Sequence, residues 1–186
     1  MNIFAIHGAF STPTIFNYLR LRLSKCDWRF LDYHEDVKGV DDICARAVID
    51  RPSHVIGHSM GGLIALALAA DPNVISITTV ATPLDGLGVN ALQAYLTRSG
   101  FINEVAYRSM FMQRLHRTKY SQPVQHLIST AGFNPYMYED NDGVVTLKSQ
   151  RGWAAGPTIE IAANHAEIML RDETVAQLSS FISYAR

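Results

Sequence analysis

Apolar runs and polar interruptions alternate along this chain with two different periods. Short runs rich in Ile, Val, Phe and Leu, bounded by Gly, Pro, Asp or Ser, predict strands near residues 2–7, 28–33, 53–58, 74–81, 125–131 and 158–163. Between them, apolar positions recur at helical spacing near 13–24, 40–50 and 60–70, and again near 172–184. Strands apolar on both faces that alternate with helices predict an α/β fold, a parallel sheet covered on both sides. One connection breaks the rhythm. Residues 84–124 separate the fourth and fifth strands by about forty positions and hold two helix-like stretches, 88–98 and 101–117. A crossover needs only one helix. Tyr95, Tyr107, Met110, Phe111 and Met112 supply more apolar surface than that helix would bury. The segment is therefore expected to form a helical cap inside a single domain, 1–186.

Composition narrows the class. A chain of 186 residues, 48% hydrophobic and 18% charged, suits one compact domain with a substantial core. Its 16 basic and 17 acidic residues leave a net charge of −1. No run of Lys or Arg offers a surface for nucleic acid or anionic lipid. Cys26 and Cys44 lack Cys-x-x-Cys spacing, and no pair of histidines is spaced like metal ligands, so reduced thiols are expected, with no metal and no cofactor. The first eight residues lack the basic start of a signal peptide, and the longest apolar stretch, 63–70, is far too short to span a bilayer. A soluble, cytoplasmic chain with no stable membrane insertion is the expectation.

The chemistry concentrates where the third strand meets its helix. Gly57-His58-Ser59-Met60-Gly61-Gly62 follows an apolar strand and precedes strong helix formers. A tight strand-to-helix turn holds a serine hydroxyl clear of the backbone, and Gly57 and Gly61 stand where a side chain would collide with neighbouring backbone. Ser59 is thus the candidate nucleophile. It needs a base and an orienting acid. Among seven histidines, His165 leaves the last strand at the sheet edge where Ser59 also emerges, the edge at which open parallel sheets gather their sites. His58 adjoins the serine but points elsewhere, and His7 more plausibly shapes its own loop. His34, His54, His116 and His126 read as surface or structural residues. Asp142, at an Asp-Gly turn before the apolar pair Val144-Val145, is the first choice of acid, with Asp140 and Asp85 as rivals. Backbone N–H groups of Met60, after the nucleophile, and of Ala9, in the loop after the first strand, are the expected oxyanion donors.

Ile6-His7-Gly8, the Gly57-to-Gly62 turn, and Asn141-Asp142-Gly143-Val144-Val145 with Asn164-His165 together resemble the α/β-hydrolase superfamily, most closely its small bacterial lipases and esterases. The Asn-Asp-Gly-Val-Val run is similar to the acid-bearing loop of many lipases, which favours Asp142. The resemblance implies a minimal α/β-hydrolase fold: a mainly parallel six-stranded sheet in the order 2-1-3-4-5-6, lacking the two antiparallel strands that usually precede the His-Gly strand. It also implies a serine hydrolase acting on a small-molecule or lipid ester through an acyl-enzyme. A thioesterase or amidase would use the same residues, and a non-catalytic binding module would be expected to lack one of them. Segment 84–124 matches no family motif. Phe10, Met110, Phe111 and Met112 are expected to line the acyl pocket because they are apolar and lie in the oxyanion loop or the cap.

Overall fold

A computed structural model describes residues 1–33, 39–88 and 100–185. The stretch 88–98 expected to be helical lies almost wholly outside these residues, as do Tyr95 and His34. Six strands form one sheet: β1 (Asn2–Ile6), β2 (Asp27–Leu31), β3 (Ser53–His58), β4 (Val74–Val80), β5 (Val124–Ser129) and β6 (Thr158–Ile161). Every neighbouring pair is parallel, and the order across the sheet is β2-β1-β3-β4-β5-β6.

Alternation of side chains sorts the core into two layers. Phe4 and Ile6 of β1, Val55 of β3 and Ile77 of β4 join a cluster with α2 (Val40–Arg46), α3 (Met60–Ala67) and α4 (Met110–Arg117). Ile3, Ala5, Ile56, Val80 and Leu127 face the other way, onto α1 (Asn17–Arg22) and α6 (Asp172–Tyr184). α5 (Leu147–Arg151) follows the loop that leaves β5. The central strand β3 is buried along its whole length, which explains why it reads as an unbroken apolar run despite two histidines.

Helix boundaries depart from the periodic pattern for local reasons. The helix expected at 13–24 begins as a 3₁₀ turn, Pro13–Phe16, and that at 40–50 stops at Arg46, where Ala47 is extended. The stretch 101–117 divides into a 3₁₀ turn, Gly100–Val105, and α4. Arg108 takes φ +61° and the Ser109 hydroxyl accepts from Met112 N–H at 3.2 Å, capping a new helix rather than continuing the old turn. Within 84–124, Leu84, Val105, Phe111, Met112 and Leu115 are buried in the α3-side core.

The topology locates a crevice. From β1 the chain moves outward to β2 and then returns past β1 to lay down β3 on its other side. Loops that leave β1 and β3 in opposite directions open a gap at the carboxyl ends of the strands. Gly8 follows β1 and Ser59 follows β3, so both face that gap. They are so close that a Cβ on Gly8 would stand 2.9 Å from Ser59 Cβ.

Candidate active site

Ser59 sits at the turn between β3 and α3 with φ 54° and ψ −126°. A non-glycine residue at positive φ carries strain of order 1–3 kcal/mol that the surroundings must hold in place. They do so through a hydrogen bond from Ser59 N–H to the Val80 carbonyl at 2.8 Å and through close backbone packing. A Cβ on Gly57 would overlap the Gly61 carbonyl, and one on Gly61 would overlap the carbonyl of Ile6. Two glycines let β1, β3 and α3 approach closely enough to force the serine outward. Met60 is the first helical residue beyond it, so its N–H has no intrahelical acceptor.

Asp142 is fully buried in the loop between β5 and α5. Its carboxylate is surrounded by donors. Oδ1 accepts from the Val144 and Val145 N–H groups at 2.9 and 2.7 Å, and Oδ2 accepts from Gln150 Nε2 at 2.9 Å and from the Ser129 hydroxyl. His165 Nδ1 completes the set at 2.7 Å from Oδ2. Burial pushes this carboxyl group up, but the His165 hydrogen bond and charge, with the Ser129 and Val145 donors, outweigh it and hold Asp142 below the ordinary carboxylate range. An ionised carboxylate only accepts, so Nδ1 of His165 carries the proton and Nε2 is left as a base. The loop can fold so tightly because residue 132 is glycine. A Cβ there would overlap the Asp142 backbone.

His165 is gripped by its main chain as well. Its N–H donates to the Asp142 carbonyl at 2.9 Å, and its own carbonyl accepts from His58 Nε2 at 2.8 Å. His58 is buried, its ring 4.9 Å from that of His165, and its Nδ1 has no partner among the described residues. Burial, and next the charge of His165, push the His58 imidazole down to about 3.

Ser59, His165, Ala9 and Met60 all line one pocket of about 160 Å³. Its apolar wall comes from Ile15, Pro83, Leu87, Val105, Val144 and Val145. Asp142 stands behind His165, out of the pocket. The rival acids are elsewhere: Asp140 is exposed on the same loop, and Asp85 lines a separate groove with Tyr107 and Glu139. Three of the four residues expected to bind the acyl group need correction. Phe111 and Met112 are buried in the core, and Met110 is 81% exposed beside Gly39 and Arg114. Phe10 is partly exposed on the loop after β1, at φ +55°, between two pocket-lining residues, Ala9 and Ser11. The reason is the amphipathic set of α4, which turns Phe111, Met112 and Leu115 onto α3 and leaves Met110 in solvent.

Sequence reasoning missed the supports. Ser129 ends β5 and Gln150 lies on a short helix that no long periodic pattern announces. Both are buried polar residues whose partners are distant in sequence. His7 proves to be a loop-shaping residue. Its Nδ1 is 2.8 Å from the Gly8 carbonyl and its ring stacks on Tyr33, whose hydroxyl donates to the His7 carbonyl. His54, His116 and His126 are bonded to Ser76, to the Leu84 carbonyl and to Thr79. Among the described residues no three His, Cys, Asp or Glu side chains are grouped to hold a metal ion, and no helix is long and apolar enough to cross a membrane.

The sequence profile of the alpha/beta hydrolase family matches residues 3–178. No curated protein matches the chain. Among solved structures, the mature form of a Bacillus licheniformis lipase superposes with a TM-score of 0.72 at 19% identity, over 99% of this chain and 91% of that one. A monoacylglycerol lipase of Paleococcus ferrophilus gives 0.64 at 13% identity, over 99% and 93%. A thioesterase domain from the curacin biosynthetic pathway gives 0.59 at 14% identity, over 98% and 90%. At these identities the likeness is one of fold.

Proposed function

Because the chain belongs to the alpha/beta hydrolase family, we propose that it is a serine hydrolase that cleaves carboxylic esters through an acyl-enzyme. One observation carries the reading: His165, hydrogen-bonded to the buried Asp142 behind it, lines the same pocket as Ser59 on its strained turn. Ser59 Oγ attacks the acyl carbonyl while His165 Nε2 takes its proton. Asp142 stabilises the imidazolium that results. The oxyanion is held by the Ala9 and Met60 N–H groups, helped by the positive end of α3. Collapse expels the alcohol, protonated by His165. Water, activated by the same imidazole, then attacks the acyl carbonyl and releases the acid and Ser59.

Pocket size supports a small acyl group. A volume near 160 Å³ is close to that of an engineered apolar cavity, about 150 Å³, that holds benzene. Short-chain or single-ring acyl esters fit it. Among the described residues of segment 84–124, Leu87 and Val105 bound this space, which supports reading the segment as a cap.

The test combines labelling with turnover. The wild type should react stoichiometrically with a fluorophosphonate probe and hydrolyse p-nitrophenyl acetate and butyrate faster than the octanoate. Ser59→Ala should do neither while keeping its circular dichroism spectrum. A labelled or active Ser59→Ala variant overturns the assignment. Faster cleavage of acyl thioesters or anilides than of esters would move the leaving group to sulfur or nitrogen, and a wild type inert to both probe and substrates would make the protein a binding module.

A further inference from the structure

The last strand lies three places from β3 in the sheet, so at a strand spacing of about 4.8 Å the loop after β6 must reach back roughly 14 Å over the ends of β4 and β5 to bring His165 to Ser59. Such a loop needs ties at its tip. From the β5 side Asp142 supplies two, to the His165 N–H and to Nδ1. From the β3 side there is His58, whose Nε2 lies 2.8 Å from the His165 carbonyl. A carbonyl only accepts, so Nε2 must carry the proton. Nδ1 of the neutral ring is then a bare acceptor, and it is buried without a partner among the described residues. An orphaned buried acceptor costs free energy, which an apolar residue at this place in β3 would avoid.

We propose that His58 is a positioning residue: its Nε2–H anchors the His165 loop to the nucleophile turn, so that one dipeptide, His58-Ser59, sets the place of both the nucleophile and its base. This rests on the reading of Ser59 and His165 given above. The residue acts through the main chain of His165 and exchanges no proton with substrate. What it controls is whether His165 keeps its bond to Asp142 while facing Ser59.

Two amide substitutions test this at matched polarity. Gln carries its N–H at nearly the reach of the imidazole Nε2, whereas Asn ends at the distance of Nδ1. His58→Gln should keep kcat within about threefold of wild type and preserve the far-downfield proton signal of His165 Nδ1–H bonded to Asp142. His58→Asn should lose kcat at least tenfold with KM within threefold, and that signal should broaden or vanish. Loss of the signal in both variants or in neither, its absence from the wild type, or activities of both variants that fall only in step with Tm, overturns the proposal. Should His58→Asn fail to fold, imidazole ¹⁵N shifts of the wild type still decide: His58 must be protonated at Nε2, and an Nδ1–H tautomer sinks the claim. The spectroscopic arms need no turnover. A protein that hydrolyses no ester yet shows the predicted signals would refute the functional reading and leave the anchoring intact.

Discussion

At the scale of single residues, Asp142 is the position where charge matters most. Five donors converge on its two oxygens, from Val144, Val145, Ser129, Gln150 and His165. An amide cannot accept all of them, and an NH₂ turned toward His165 would favour the tautomer with Nε2 protonated, which is no base. Asp142→Asn should therefore lower kcat roughly 10⁴-fold, as removal of the charge does in a Ser-His-Asp triad. Asp140→Asn and Asp85→Asn, which change an exposed carboxylate and one in another groove, should stay within about threefold. Steady-state rates on a p-nitrophenyl ester decide this, and a crippled Asp85→Asn beside a mild Asp142→Asn would show the acid to be misassigned.

Elements decide which apolar residues are core and which are pocket. α4 buries Phe111 and Met112 against α3, so Met112→Ala should cost about 2–5 kcal/mol in urea denaturation and leave the acyl-chain preference unchanged. Leu87 has the opposite place. It is half-buried and lines the pocket, so Leu87→Ala should shift the ratio of kcat/KM toward longer acyl esters, by about 1–3 kcal/mol per methylene accommodated, with a smaller loss of stability. A changed chain-length profile in Met112→Ala, or none in Leu87→Ala, would reverse the two roles. Met110 should tolerate alanine in both assays.

For the whole molecule, two buried histidines set the response to acid. Burial pushes His126 down to about 4, and burial with the charge of His165 pushes His58 down to about 3. In the unfolded chain both titrate near the ordinary 6.5, so below that pH the unfolded state binds protons that the folded state refuses. Stability should be full above pH 6.5 and fall as pH drops toward 4, each histidine contributing up to about 1.4 kcal/mol per pH unit. The lowered Asp142 acts in the same direction at lower pH, once the unfolded carboxyl begins to protonate. Urea midpoints at pH 7.5, 6 and 5 measure the effect. A midpoint unchanged down to pH 5 would mean that these rings are protonated in the folded protein.

The strand pattern and the Ser59 turn were legible from the chain alone because each is local: runs of Ile and Val, Gly57 and Gly61 around one serine, and an Asp-Gly turn before Val144-Val145. The order of the sheet, which is not local, came only through the family resemblance. His165 and Asp142 could be singled out because parallel strands deliver their loops to one edge. Tertiary structure alone decided the rest. It buried Asp142 against His165 and left Asp140, two residues away, exposed. It sent Phe111 and Met112 to the core, since a helix of eight residues shows its buried face only when its neighbour is known. It also brought Ser129, Gln150 and His58 to hydrogen-bond partners that lie 13, 8 and 107 residues away. Periodicity reports which residues avoid water, but the partner of a buried polar group depends on how the strands and loops are brought together.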